Sequence, residues 1–282
     1  MKRYLVVALA LGAAASHAAG NRLLATGGVM EIEGSAGGGA VPWALIAGLG
    51  TDEQVGGSGF CTQARQQKFA LRTCGLAIGI HDRVEISYAN QDFDLDDIIP
   101  GESIAVDVIG LKVRLFGDAV FDQDRWYPQL SLGMQYKKNQ DFDFVPALLG
   151  AADDSGVDVY VAATKVYLAG PFSRTWLINA TLRATRANQF GILGFGGDLE
   201  DGRSINAELS AAVFLTDEIV MGAEFRQKPD NLGSFGEEDF WDLFGALFPS
   251  KHYSATVAYT DLGRIAMMPG QHGWYLSLQG SF

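Results

Sequence analysis

Apolar and polar residues alternate along one segment after another in this chain, and this period of two constrains its fold more than any other feature. Residues 273–282 show the pattern best, because large apolar side chains occupy almost every second position there. Successive side chains of an extended strand point to opposite faces, so each such segment is predicted to be a β-strand with one apolar face. Beyond the N-terminus, no apolar run is long enough to cross a bilayer as a helix.

Alternating segments predict twelve strands in the second part of the chain. Their expected bounds are 58–66, 69–80, 83–91, 103–116, 125–138, 157–169, 174–188, 203–215, 218–228, 240–248, 252–262 and 273–282. Residues 29–36 and 42–50 would add two short strands. We expect fourteen strands, because residues 29–34 alternate and Thr51-Asp52-Glu53 resembles the short turn at Thr216. The alternative is that the Gly-rich residues 34–39 lie inside or beneath a twelve-stranded barrel.

The predicted connections are alternately short and long. Short ones fall at 81–83, 170–173, 216–218 and 249–251, with a somewhat longer one at 117–124, whereas the loops at 92–102, 139–156, 189–202, 229–239 and 263–272 are long and mostly acidic. Barrels of the bacterial outer membrane place short turns in the periplasm and long loops outside. The sequence therefore predicts an all-β, transmembrane, up-and-down antiparallel barrel in the outer membrane of a Gram-negative bacterium, in contact with lipid and lipopolysaccharide.

The last strand carries a targeting pattern. Trp274, Leu276, Leu278 and Phe282 share one face, and the chain ends on an aromatic residue. This ending resembles the C-terminal strand of outer-membrane barrels, so we expect the barrel-assembly machinery to be a partner.

The N-terminus has the features of a secretory signal peptide. Lys2 and Arg3 precede an apolar stretch, and Ser16-His17-Ala18 places small residues for cleavage after Ala18. Loss of Lys2 and Arg3 changes the formal charge from −12 to −14, and so acidic a chain is not suited to nucleic acid. The expected divisions are a signal peptide (1–18), a Gly-rich N-terminal segment (19–54) and the barrel (55–282).

Export to an oxidising compartment makes the two cysteines a candidate disulfide. Cys61 and Cys74 flank a predicted hairpin turn at residues 67–68 and are equidistant from it. They are therefore expected to face each other on adjacent strands.

The face of each strand opposite to the lipid is predicted to line the lumen, and it carries charges. Five basic candidates lie on consecutive strands: Lys112, Arg114, Lys137, Lys165 and Arg183. The remaining wall carries the other four candidates: Glu85, Glu208, Glu224 and Arg226. Separated charges would set an oriented field across a pore and select polar or charged solutes. We expect a passive channel for a small solute; the alternative is a non-conducting structural or interaction barrel whose charges pair and fill the lumen.

No catalytic or metal site is expected from the residues. Residues 92–103 begin like a calcium loop, but Asp97 replaces the Gly and Ser103 replaces the Glu that an EF-hand needs. The histidines do not form a nucleophile–base arrangement. We therefore expect neither enzyme activity nor a cofactor nor a metal.

Several segments carry a family resemblance. GLKVRLFGDAVFD, DDSGVDVYVAATKVYLAG, LRATRANQFGILGFGGD, AAVFLTDEIVMGAEFRQKPDNL and the ending GWYLSLQGSF resemble an uncharacterised proteobacterial family that is known as a domain of unknown function. The resemblance spans nearly the whole chain after the signal peptide and implies an outer-membrane barrel. It assigns no functional residues, and the cysteine pair is not a feature of that family.

Overall fold

The computed structural model describes residues 24–25 and 27–282, so the expected signal peptide and its cleavage site lie outside the described residues. Within them, twelve long strands close into one antiparallel barrel. The strands are β3 (Val55–Arg65), β4 (Ala70–Ile80), β5 (Val84–Asp94), β6 (Ser103–Phe116), β7 (Gln129–Asn139), β8 (Ser155–Tyr167), β9 (Trp176–Thr185), β10 (Ser204–Phe214), β11 (Ile219–Arg226), β12 (Phe240–Ser250), β13 (Tyr253–Asp261) and β14 (His272–Ser281).

Each strand pairs with its neighbours in sequence, and β14 pairs with β3 to close the sheet. The connections include a short α-helix, α1 (Val145–Leu148), and two 3-10 turns, η1 (Pro171–Ser173) and η2 (Asn188–Gly191). In the described part of the chain, the helices are all too short or too polar to cross a membrane.

The expectation of fourteen strands is wrong, and the twelve-stranded alternative holds. The segment before β3 contains only two-residue strands, β1 (Val29–Met30) and β2 (Ala36–Gly37), which pair with each other. The barrel closes directly through β3 and β14, from Trp274 opposite Arg65 to Ser281 opposite Ser58. Because the edges of these two strands are already paired, residues 27–50 cannot join the sheet.

The outer face of the barrel is apolar and exposed, as a lipid-facing wall must be. Ile109 in the middle of β6 is 54% exposed, and Leu278 on β14 is 59% exposed. The inner face is buried and carries most of the polar side chains of the strands, and the strands pair with each other around the closed sheet. Five aromatic side chains lie at or near the ends of strands, where interfacial girdles form: Trp126, Trp176, Trp241, Tyr253 and Trp274.

Connection lengths orient the barrel. The connections at 81–83, 215–218 and 251–252 lie at one end, which we assign to the periplasm, and those at 140–154, 186–203 and 227–239 lie at the outer end. The turn between β4 and β5 is tight because Arg83 N donates to the carbonyl of Ile80 (3.0 Å). The two central residues of this turn, His81 and Asp82, have positive φ, 53° and 47°, as a type I′ turn requires. The connection between β3 and β4, residues 66–69, is the short exception at the outer end.

A disulfide joins Cys61 and Cys74, which are directly opposite in the register of β3 and β4. The neighbouring Thr62 and Thr73 are buried and face the lumen. Because side chains alternate along a strand, the disulfide lies on the lipid-facing side.

Candidate functional site

Residues 27–50, hereafter the plug, occupy the inside of the barrel. Their contacts come from all around the wall: Met30 N donates to Gln279 Oε1 on β14 (2.9 Å), Ala44 N to Thr164 Oγ1 on β8 (2.7 Å), and Trp43 Nε1 to Ser210 Oγ on β10 (2.9 Å). At its end, Leu49 N donates to the carbonyl of Phe282 (3.0 Å). The plug therefore fills the lumen and leaves it at the periplasmic end, where β3 begins.

Small residues allow the plug to turn and to approach the wall closely. Gly34 reverses the chain with φ of 99°, which side-chain-bearing residues rarely adopt. A Cβ on Gly38 would overlap the carboxylate of Glu224. The Gly-rich composition is thus required by the narrow space inside the barrel.

Glu33 of the plug is held by three cations of the wall. Arg226 on β11 grips it with two nitrogens, Nη1 to Oε2 at 3.0 Å and Nη2 to Oε1 at 3.1 Å. Arg183 Nη1 on β9 lies 3.4 Å from Oε2, and Lys137 on β7 forms an ion pair with Oε1. All four side chains are buried. We call Lys137, Arg183 and Arg226 the cradle.

Two wall carboxylates complete this cluster. Asp158 on β8 lies 2.7 Å from Lys137 Nζ and 3.4 Å from Arg183 Nη1. Glu208 on β10 lies 2.5 Å from Arg183 Nε and 3.1 Å from Arg226 Nε. The ion pairs formed by the described residues here therefore match three cations to three carboxylates, one of which belongs to the plug. Removing one partner from such a buried cluster costs about 3–5 kcal/mol, because a charge is left uncompensated.

A second set of contacts holds the plug nearer the periplasm. Lys112 Nζ on β6 donates to the carbonyls of Ala36 (2.9 Å) and Leu45 (2.8 Å), and it lies 3.2 Å from Glu85 Oε1. Glu85 on β5 accepts from the backbone N–H of Ala36 (3.2 Å) and of Ala47 (2.8 Å). These wall side chains provide hydrogen-bond partners for buried backbone groups of the plug.

Glu224 on β11 provides a third contact of the same kind. It accepts hydrogen bonds from Ala40 N (2.8 Å) and from Ser210 Oγ (2.7 Å). Charged wall residues thus bind the plug on both sides of the lumen.

The outer end is covered by residues 187–196, which fold inward and are buried. The ring of Phe190 lies over the guanidinium of Arg226 at 4.3 Å. Lys228 Nζ donates to Gln189 Oε1 and to the carbonyl of Leu262, both at 2.8 Å, and pairs with Glu237 at 2.7 Å. Burial lowers the pKa of Lys228 and raises the pKa of Glu237. The lumen is therefore closed from outside as well as by the plug.

Seven of the nine predicted lumen residues face the plug or its cluster: Glu85, Lys112, Lys137, Arg183, Glu208, Glu224 and Arg226. Arg114 lies lower, at the periplasmic rim, where its Nη1 donates to Asp82 Oδ2 at 2.7 Å. The predicted separation of charges is absent from the ion pairs of this cluster, because cations and carboxylates are paired with each other.

The prediction for Lys165 is wrong. Thr164 faces the plug, so Lys165 points to the opposite side of β8, where its Nζ donates to the carbonyls of Asp122 (2.5 Å) and Arg125 (3.0 Å). The periplasmic connection between β6 and β7 folds over this lysine and buries it. The alternation of faces along β8 is kept, and Lys165 lies on the outward face with Val159 and Val161. A charged side chain is accommodated there because this connection covers it.

Sequence reasoning missed Glu33 and Asp158. It also missed Glu31 of the plug, which accepts a hydrogen bond from Gln135 Nε2 on β7 at 2.8 Å. Met30 to Glu33 alternates apolar and acidic residues, as a barrel strand would. The signal that could have identified this segment is its pair of carboxylates, Glu31 and Glu33, on one face of a short apolar stretch.

A cavity with a volume of about 50 Å³ remains between the plug and the wall of β3, β4 and β12–β14. It is large enough for roughly three to five water molecules. Four buried polar atoms on its lining residues lack a hydrogen-bond partner among the described residues: Gln66 Oε1, Gln189 Nε2, Asp242 Oδ1 and Tyr275 Oη. The lumen is thus filled at Glu33 and looser toward β3, β4 and β12–β14.

The acidic outer loops do not form a metal site in the described part of the chain, where groups of three or more suitable His, Cys, Asp or Glu side chains are absent.

Comparison with known proteins gives a family and a fold. A family model described as "Protein of unknown function (DUF3034)" matches residues 26–279. The comparison with curated proteins gave no match. Among solved structures, the chain is similar to KdgM porin, with a TM-score of 0.51 at 7% identity over 80% of this chain and 99% of that one. This likeness shows a shared barrel fold.

Two further solved structures are more distant. The outer membrane protein Omp33 of Acinetobacter baumannii gives a TM-score of 0.45 at 10% identity, over 82% of this chain and 98% of that one. The COG4313 outer membrane channel from Pseudomonas putida F1 gives 0.43 at 12% identity, over 86% and 96%.

Proposed function

We propose that this chain, which belongs to the family described as protein of unknown function (DUF3034), is an outer-membrane channel for a small polar or charged solute, closed at rest by residues 27–50. The observation that carries the proposal is that the plug is bound to the wall without being part of it. Among the described residues, the strand pairing of its two short strands stays within the plug, whereas the barrel closes through β3 and β14. The plug can therefore leave the lumen without breaking any hydrogen bond of the barrel ladder.

The wall behind the plug is suited to polar solutes. Lys112, Glu85 and Glu224 bind backbone groups of the plug through hydrogen bonds that water or a polar solute can replace. Barrels of about 8 strands are filled by their own side chains, and those of about 16–18 leave a channel. A twelve-stranded barrel lies between these sizes and holds a complete additional segment.

The second candidate is a structural or interaction barrel that never conducts. It is supported by the paired charges of the cluster and by the inward-folded residues 187–196, which close the outer end. Under this hypothesis the plug is a permanent core.

Swelling of vesicles in glycine, a small polar zwitterion, separates the two functions. Vesicles containing the wild-type barrel are expected to admit glycine faster than empty vesicles, and Glu33→Gln is expected to accelerate entry because it removes the plug's charge from the cradle. Glu53→Gln is the matched control, since Glu53 is exposed in the turn before β3, and it should behave as wild type. If folded wild-type and Glu33→Gln barrels both admit no more glycine than empty vesicles, the channel proposal fails.

A further inference from the structure

We infer that the cradle is the binding site for the carboxylate group of an anionic solute, which occupies the place of Glu33 when the plug leaves. The inference rests on the proposed channel function and names the class of solute. Glu33 presents to the cradle the same group that such a solute would carry.

Withdrawal of Glu33 leaves the cradle with one ion-pair partner fewer. Lys137, Arg183 and Arg226 share two wall carboxylates, Asp158 and Glu208, in the ion pairs of the described residues. When Glu33 withdraws, three buried cations face two carboxylates. An anion that enters the cradle restores the balance, so the open state binds this anion and the closed state does not.

The shape of the cradle favours a planar carboxylate. Arg226 contacts both oxygens of Glu33 through a two-nitrogen fork, at 3.0 and 3.1 Å, which matches the geometry of a carboxylate. Arg183 and Lys137 approach the same group from other strands. Phe190 covers Arg226 at 4.3 Å and Tyr160 lies against Arg183 at 5.1 Å, so aromatic rings restrict the space around the guanidinium groups.

The cradle lies where a solute from outside would meet it. Arg226 is the last residue of β11, and Lys137 and Arg183 are close to the outer ends of β7 and β9. The carbonyl of Phe190, in the covering residues 187–196, accepts a hydrogen bond from Lys137 at 3.3 Å. A solute that displaces these covering residues therefore reaches the cradle before it reaches the rest of the plug.

Binding of the anion must then open the channel. A ligand shifts a two-state equilibrium only through its different affinity for the two states, and here the plugged state has its cradle filled. The fraction of open time should rise with anion concentration and then saturate.

Acetate and acetamide provide a matched pair of probes in planar bilayers, because they have nearly the same size and shape and differ in charge. At constant ionic strength, millimolar acetate replacing chloride should raise the open fraction of the wild-type barrel about tenfold, and acetamide should leave it unchanged. Inorganic phosphate should act more weakly than acetate. Equal effects of acetate, acetamide and chloride would overturn the inference, and an equal effect of phosphate would overturn the carboxylate class.

Two variants test whether the response to acetate arises at the cradle. Arg183→Gln should remove the response to acetate, whereas Lys68→Gln, which removes an exposed cation of the outer turn, should retain it. Because Arg183→Gln leaves buried carboxylates unpaired and can prevent folding, the reversal potential of Glu33→Gln in a sodium acetate gradient is a second measurement. It should show preference for acetate over sodium, and a preference for sodium would contradict the inference.

Failure of the inference and failure of the channel proposal are distinguishable. If the folded Glu33→Gln barrel passes no current, the channel proposal is wrong. If it passes current that acetate and acetamide affect equally, the channel remains and the carboxylate site is wrong.

Discussion

Glu33 and Arg226 are 193 positions apart in the chain, yet they meet inside the barrel through two hydrogen bonds of 3.0 and 3.1 Å. One belongs to the plug and the other to the wall, so this pair joins two parts of the molecule that share no strand pairing. Under the proposed function, the strength of such pairs decides whether the lumen is open or closed.

Weakening this pair should free the plug. Glu33→Ala is expected to destabilise the plugged state by about 3–5 kcal/mol, because it leaves buried cations uncompensated. Chymotrypsin should then cleave at Trp43, which is 4% exposed in the closed barrel, much faster than in wild type. Glu53→Ala, in the exposed turn, should leave the cleavage rate unchanged; equal rates in Glu33→Ala and wild type would mean that the pair does not retain the plug.

The contacts nearer the periplasm should stabilise the whole barrel. Lys112→Met removes the cation paired with Glu85 and the side-chain donor to the carbonyl of Leu45, while the carbonyl of Ala36 keeps the backbone N–H of Trp43. The free energy of unfolding in urea should therefore fall by about 3–5 kcal/mol.

The matched control is the exposed pair of Lys138 and Asp154, whose side chains are 35% and 42% exposed. Lys138→Met should cost at most about 1 kcal/mol, because water screens an exposed pair. Similar losses for the two lysine variants would contradict the buried role of Lys112.

If the outer face lies in a bilayer, the loss of stability caused by a charged substitution there should depend on its depth in the membrane. Ile109→Arg, in the middle of β6, should reduce the free energy of unfolding in lipid vesicles by about 2–4 kcal/mol, and Ile205→Arg, at the outer end of β10, by about 0–1 kcal/mol. Both side chains face outward, with 54% and 75% exposure. An equal cost at the two positions would show that this surface does not lie in a bilayer.

The disulfide between Cys61 and Cys74 should constrain the unfolded chain. Replacing both cysteines by serine is expected to lower the free energy of unfolding by about 2–4 kcal/mol under oxidising conditions. Under reducing conditions the variant and wild type should be similar. Mass mapping without reductant should recover the linked peptides, and a count of two free thiols in the denatured wild type would contradict the pairing.

Strands were predictable wherever alternation is unbroken and both neighbours are strands. β6 has the predicted bounds, 103–116, because apolar residues occupy every second position along most of its length. Lys165 was placed on the wrong face because a periplasmic connection buries the outward side of β8 at that point. Alternation indicates two different faces, but it does not say what covers each one.

The plug could not be distinguished from a strand by pattern alone. Residues 29–34 alternate, and an amphipathic segment has the same pattern whether it lies in the wall or against it. What excludes it from the sheet is the pairing of β3 with β14, which depends on residues more than 200 positions apart. The charged wall residues were identified, whereas their pairing required Glu33 and Asp158, whose partners lie on other strands.

Single-channel current through the wild-type and Glu33→Gln barrels shows directly whether the plug gates a channel. Openings of the wild type should be rare. Glu33→Gln should open about ten or more times as often with the same unit conductance, because Glu33 no longer holds the cradle. Two folded proteins that remain electrically silent over the same range of voltage would contradict it.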